Sequence, residues 1–265
     1  MADETATAPE PELLEERIGH IMVLTLNRPK AVNAISPQIT RLLDDALNRA
    51  EEDDGVFVVV LTAAGDRVFC AGLDLKHLAE HGDADFIAGD NGFAGIAERV
   101  FSKPIICAVN GACMGGGTEI ALSCDLIVAA ENARFALPEV KRGILAAAGG
   151  PIRIMKSIPR TAALEMLFTG EPLSAQRAYE LGLVNKVVPL ANLREEALAL
   201  AEQVAANAPL AVQATKLLAY ASTTLEIDDA FALSKKLGAK VMASEDAQEG
   251  PRAFLEKRAP VWQGK

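Results

Sequence analysis

Residues 105–130 read IICAVNGACMGGGTEIALSCDLIVAA. Ile105–Val109 is a short run of apolar residues ended by Asn110-Gly111, the composition of a strand that runs into a turn. Three glycines, Gly115, Gly116 and Gly117, lead into a helical stretch, Gly117–Ser123, and Leu126–Ala130 then returns as a second apolar strand. Strand, helix and strand in close succession predict parallel pairing through a crossover, and hence an α/β chain. Neither strand alternates with polar residues, so both faces of the sheet must be covered.

The same grammar extends in both directions. Val56–Leu61 is apolar at every position, Ile21–Leu26 is a β-branched and aliphatic run stopped by Asn27-Arg28-Pro29, and Val184–Val188 forms a further short strand. Between the first two, Ser36-Pro37 supplies an N-cap and a proline for the first helical position. Ile39, Leu42, Leu43, Ala46, Leu47 and Ala50 then keep the three/four spacing of an amphipathic helix, closed by Glu51-Glu52-Asp53-Asp54-Gly55. Ala162–Thr169 is also helical, and the uneven strand spacing excludes a solenoid. From residue 193 the character changes. Leu193–Ala206, Pro209–Tyr220, Ile227–Met242 and Glu245–Arg258 all read as helices, with one apolar stripe on Leu193, Ala197, Leu200, Ala201 and Val204 and another on Ile227, Ala230, Phe231 and Leu237. Three parts are expected: an acidic, disordered tail over 1–16, an α/β core with the functional site over 17–192, and a helical region over 193–265 that packs on a partner subunit.

Composition narrows the function. The chain has 265 residues, half of them apolar and 23% charged, which suits a packed globule. No run approaches the ~18 consecutive apolar residues of a membrane span. Six acidic residues precede the first basic one, Arg17, which is the wrong charge for a targeting peptide, so cytoplasm is the expected compartment and no membrane partner is expected. A net charge of −10 argues against nucleic acid as a partner. Cys70, Cys107, Cys113 and Cys124 lack CxxC spacing and lie in apolar or glycine-rich surroundings, which predicts buried reduced thiols. With three histidines in the chain, carboxylates and backbone groups are the tools to look for.

His77-Leu78-Ala79-Glu80-His81 matches the inverted zinc-protease pattern H-x-x-E-H, but Gly82-Asp83 ends the helix at once, and an exposed helix terminus is the plainer reading. The loop Ala71-Gly72-Leu73-Asp74-Leu75-Lys76 and the glycines at 115–117 are better placed. Each follows a strand, and each can leave a backbone N–H unpaired, near Leu73 in the first case and at a helix N-terminus in the second. The glycine segment fits neither G-x-x-x-x-G-K-[ST] nor G-x-G-x-x-G, which disfavours nucleotide phosphates. Two exposed N–H groups from separate loops meet the requirement of an oxyanion hole. Glu119 lies one turn beyond the glycines, and Glu139 follows Phe135-Ala136-Leu137-Pro138. Singly, the first could be a helix-dipole partner and the second a turn residue. Together they could shuttle protons at carbon beside a carbonyl.

These residues resemble the crotonase, or enoyl-CoA hydratase/isomerase, superfamily from Ile18 to Lys265. The likeness lies in Leu26-Asn27-Arg28-Pro29, Phe69 to Lys76, Ala108-Val109-Asn110-Gly111 with Gly115-Gly116-Gly117, Glu119, Cys124-Asp125, and Phe135 to Glu139. It implies a spiral of ββα turns, C-terminal helices that build homotrimers or homohexamers, and acyl-CoA thioester substrates. It assigns the oxyanion hole to the backbone N–H groups of Leu73 and Gly116, and the catalytic pair to Glu119 and Glu139, leaving open which acts as acid and which as base. It lays coenzyme A along Ala71, Gly72, Asp74 and Lys76, with Arg28 and Lys76 as phosphate partners, and puts Ala147 where a glycine N–H helps to hold the catalytic water. No metal and no separate cofactor are implied, since coenzyme A is part of the substrate. Asp83-Ala84-Asp85-Phe86, Gly92-Phe93-Ala94-Gly95, Phe135 to Glu139, and the ending from Ser244 to Lys265 are similar to the carnitinyl-CoA dehydratase subgroup. The function expected is reversible hydration of 2-enoyl-CoA thioesters. An enoyl-CoA Δ-isomerase is the alternative in the same fold. A zinc peptidase on His77, Glu80 and His81 and a non-catalytic CoA-binding protein are the alternatives of other classes.

Overall fold

Each turn of the chain lays one strand in a large sheet, a second in a small sheet, and then a helix. The computed structural model describes residues 10–265. The first turn is β1 (Leu13–Ile18), β2 (Ile21–Leu26) and α1 (Pro37–Glu52), the one turn whose two strands both join the large sheet. The second is β3 (Val58–Ala63), β4 (Val68–Cys70) and α2 (Leu75–His81); the third is β5 (Ile105–Val109), β6 (Ala112–Met114) and α3 (Gly116–Ser123). β7 (Leu126–Ala130) and β8 (Arg134–Ala136) open a fourth, which passes through a 3₁₀ turn at Pro138–Arg142 into α4 (Gly150–Ser157). α5 (Arg160–Thr169), β9 (Leu173–Ser174), α6 (Ala175–Glu180) and β10 (Lys186–Val188) complete the two sheets. The large sheet runs β1-β2-β3-β5-β7-β10 and the small one β4-β6-β8-β9. Pairing is parallel except at β1–β2 and β8–β9. The expected α/β spiral of ββα turns is the fold.

The unbroken apolar strands follow from this layering. Val58, Val60, Ile106, Ala108, Val128 and Ala130 pack outward on Leu193, Ala197 and Ala201 of α7 (Leu193–Ala205). Val59, Leu61, Cys107, Val109, Ile127 and Ala129 face inward, against α1 and the Phe69 and Phe135 rings of the small sheet. Each valine, leucine or isoleucine among them contributes about 1.5–3 kcal/mol when fully buried. α1 starts as its sequence dictates, with the Ser36 hydroxyl accepting the Ile39 N–H at 3.0 Å. The four cysteines are buried free thiols, and burial pushes Cys70 up to about 12.

One expected boundary is corrected. A tail over 1–16 with order from Arg17 is expected, yet β1 begins at Leu13, which is 5% exposed. Only Leu13 of its six residues is buried, so the strand shows no period-2 apolar pattern to mark it. Residues 1–9 of that tail lie outside the described residues. The helices from residue 193 onward divide by what they cover: α7 packs on the outer face of the large sheet. Beyond it, α8 (Pro209–Ala221), α9 (Ile227–Met242) and α10 (Glu245–Glu256) form the appendage. Asp125 anchors α8, accepting from Lys216 Nζ at 2.7 Å and from the Tyr220 hydroxyl at 2.9 Å.

Candidate active site

The loops after β4 and β6 meet at their glycines. Gly72 has φ +93°, and a Cβ there would stand 3.1 Å from the Gly116 nitrogen and 3.2 Å from the Met114 carbonyl oxygen. Only glycine allows this approach in this conformation. The loop is pinned from the other side, with the Ile35 N–H donating to Gly72 O at 2.8 Å and the Asp74 N–H donating to Ile35 O at 3.0 Å. Leu73 is thereby held between two hydrogen-bonded neighbours, bridged to Ile35. Among the described residues, neither the Leu73 N–H nor the Gly116 N–H finds a backbone acceptor. Gly116 opens α3, so its N–H also carries the positive end of that helix's dipole. The Phe93 ring backs it, lying 2.7 Å from where a Gly116 Cβ would be.

Glu119, in the first turn of α3, is 4% exposed. Its Oε1 accepts the Gly150 N–H at 2.9 Å. Burial pushes its carboxyl above the usual carboxylate range; the Gly150 N–H draws it back, the charge of Glu139 pushes it further up, and the Ala148 N–H and Arg153 oppose that. Glu139, in the 3₁₀ turn, holds its Oε1 over Gly115, where a Cβ would come within 2.9 Å. Its Oε2 is buried and takes no donor among the described residues. Burial raises Glu139 too, against the pull of its own backbone N–H and Arg142. Two carboxyls both shifted towards neutrality, one of them pushed up by the charge of the other, are suited to exchanging protons.

The residues assigned to coenzyme A divide differently. Arg28 bridges Asp74, from both terminal nitrogens at 3.1 Å, and Glu12, from Nε at 3.1 Å, and also donates to Ala34 O at 2.7 Å. Asp74 in turn caps α2 by accepting the N–H of Lys76 and His77. Against the penalty of burial, Arg28 and those N–H groups hold Asp74 below its ordinary range. The pair is thus a clamp on the Ala71–Lys76 loop, with the Arg28 charge already matched by two carboxylates. Ala71 and Lys76 are exposed along that loop. Ala147 is exposed as well, and the N–H groups that reach Glu119 belong to its neighbours Ala148 and Gly150, which sequence reasoning passed over. Gly149-Gly150-Pro151, a helix start facing a buried glutamate, was the available signal. In the other candidate cluster, His77 Nε2 faces Asp85 at 2.8 Å and its ring stacks on His81 at 4.4 Å, so the two imidazoles lie face to face rather than converging. Among the described residues no three His, Cys, Asp or Glu side chains gather as metal ligands.

Comparison with known proteins places the whole chain in one family. Residues 16–265 fit the family model described as enoyl-CoA hydratase/isomerase. The chain belongs to the enoyl-CoA hydratase/isomerase family. Among curated relatives, the carnitinyl-CoA dehydratase of Proteus mirabilis (strain HI4320) is 43% identical over 254 residues, covering 93% of this chain and 96% of that protein. The Salmonella typhi carnitinyl-CoA dehydratase is 44% identical over 256 residues, covering 94% and 97%. The crystal structure of enoyl-CoA hydratase from Mycobacterium tuberculosis H37Rv aligns with a TM-score of 0.93 at 44% identity, over 97% of this chain and 100% of that one. That of carnitinyl-CoA hydratase from Mycobacterium avium aligns at 0.77 and 43% identity with the same coverage. Family membership extends across the core and the C-terminal helices alike.

Proposed function

We propose that the protein is a hydro-lyase that adds water across the 2,3 double bond of an enoyl-CoA thioester and removes it in reverse. The observation that carries this is the placement of buried Glu119 and half-buried Glu139, whose charge pushes Glu119 up, beside two N–H groups without backbone acceptors. In the reading, the Leu73 and Gly116 N–H groups donate to the thioester oxygen as it gains enolate charge, each worth ~2.7–4 kcal/mol in the transition state. Glu119 takes a proton from water as the hydroxyl bonds to the β-carbon. Protonated Glu139 delivers its proton to the α-carbon, and a proton passed between the carboxyls resets the pair. The like-charge opposition supports one ionised and one neutral carboxyl at a time.

Within this chemistry, interconversion of carnitinyl-CoA and crotonobetainyl-CoA is the substrate assignment, supported by the names of the curated relatives. Coenzyme A lies along the clamped Ala71–Lys76 loop, with Lys76 as its phosphate partner and no metal or further cofactor. The assembly is a homotrimer or homohexamer built through the C-terminal helices, and the compartment is the cytoplasm. No helix among the described residues is long and apolar enough to cross a membrane. The test incubates purified protein with crotonobetainyl-CoA, crotonyl-CoA and a 3-enoyl-CoA in turn. Gain of one water on both 2-enoyl thioesters, faster on crotonobetainyl-CoA, is expected. Migration of the 3-enoyl double bond without hydration of either 2-enoyl substrate would replace the reading with an isomerase.

A further inference from the structure

Arg153 takes no part in the proton transfers above, yet it joins the two halves of the site. It lies on the first turn of α4, half-buried, and its backbone N–H donates to Gly149 O at 2.9 Å. Its guanidinium reaches two carbonyls on separate segments, Nη1 donating to Ala148 O at 3.2 Å and Nη2 donating to Ala97 O. The first acceptor belongs to the Ala148–Gly150 stretch, whose N–H groups hold Glu119. The second belongs to the turn that starts at Phe93, where the Ala97 N–H donates to Phe93 O at 3.0 Å and the Phe93 ring backs Gly116. Gly149 is shaped for this side chain: at φ +99°, a Cβ there would fall 2.0 Å from Nη1.

We propose that Arg153 is a positioning residue for hydration, locking the segment that holds Glu119 to the turn that backs the Gly116 N–H. The proposal rests on the reading of Glu119 as the group that handles water. A planar fork with fixed donor directions can span two carbonyls at once, whereas a lysine ammonium supplies the charge without that geometry. The cation also favours the ionised form of Glu119, which otherwise faces the charge of Glu139 and the N–H groups of Gly150 and Ala148. Arg153 thus has two separable effects, one of shape and one of charge.

The experiment compares hydration by wild type, Arg153→Lys, Arg153→Met and Glu119→Gln across pH, with melting followed in parallel. Arg153→Lys is expected to lower kcat by about 10–100-fold with KM little changed and the acid limb of the profile in place, since small misplacements at a reacting centre carry losses of that order. Arg153→Met should lower kcat at least as far and also move the acid limb to higher pH. Wild-type kcat and an unmoved acid limb in either variant, with only a lower melting temperature, would overturn the proposal and leave Arg153 a packing residue. Should Arg153→Met fail to fold, the kcat against KM split of Arg153→Lys decides alone. Near wild-type turnover in Glu119→Gln would sink the reading of Glu119 itself, an outcome distinct from any result at Arg153.

Discussion

Glu119 is a carboxyl group held in a place that disfavours its charge. Burial is the largest influence on it, and the net shift is upward. The folded protein therefore binds this proton more tightly than the unfolded chain does. Its contribution to stability is full below the ordinary carboxylate range and is lost as pH rises through the shifted value. Glu119→Gln keeps the shape and removes the charge, so it should melt at a higher temperature than wild type at neutral pH. The gain should shrink towards zero on acidification, where the native carboxyl is protonated as well. Calorimetry at several pH values checks this, and a variant that melts lower at neutral pH would contradict it. Asp74 has the opposite sign: Arg28 and two N–H groups hold it down despite burial, so its contribution is present above the ordinary range and is lost as pH falls through the lowered value. At neutral pH Glu119 thus lowers stability and Asp74 raises it, the contrast expected between a proposed proton-transfer group and a loop brace.

At the scale of elements, β1 is more than an edge. Leu13 is buried in the main core, and Glu12 just before it accepts from Asn27 N through its carbonyl and pairs with Arg28 through its side chain. Leu13→Ala should cost ~2–5 kcal/mol, as large-to-small core changes do. Chemical denaturation reads it directly, and a loss well under 1 kcal/mol would show that the strand contributes little. Long elements were legible from periodicity: α1 keeps its cap and six apolar positions, and β2, β5 and β7 fall on their expected residues. The three-residue strands β4, β6 and β8 were not, because three residues cannot display a period and their glycine neighbours read as loops. Leu73, Gly116, Glu119 and Glu139 could be proposed without those strands, because the glycine-rich segments and the two glutamates resemble family motifs that are read residue by residue. Contacts across long separations left no trace in the sequence. Gly150 holds Glu119 from 31 positions away, and Arg28 reaches Asp74 across 46.

The whole molecule leaves apolar surface on its appendage. Ile227 and Phe231 of α9 are 67% and 60% exposed, in the stripe whose Ala230 is buried. Phe254 and Leu255 of α10 are also exposed. Self-association through these helices should make Phe231→Glu shift the light-scattering mass downward while leaving far-ultraviolet circular dichroism unchanged; an unaltered mass would place the contact elsewhere. The proposal on which the rest depends is that Glu119 and Glu139 act as one unit in each hydration, one on the water and one on the α-carbon. The most direct measurement is a double-mutant cycle on kcat for 2-enoyl-CoA hydration, using Glu119→Gln, Glu139→Gln and the pair. Each single change should lower kcat by ~10²–10⁴, the usual worth of a positioned acid or base. The double variant should fall scarcely below the worse single one, because groups that act together are not additive. Losses that multiply in full, or a Glu139→Gln enzyme that hydrates at the wild-type rate, would contradict the two-carboxylate account.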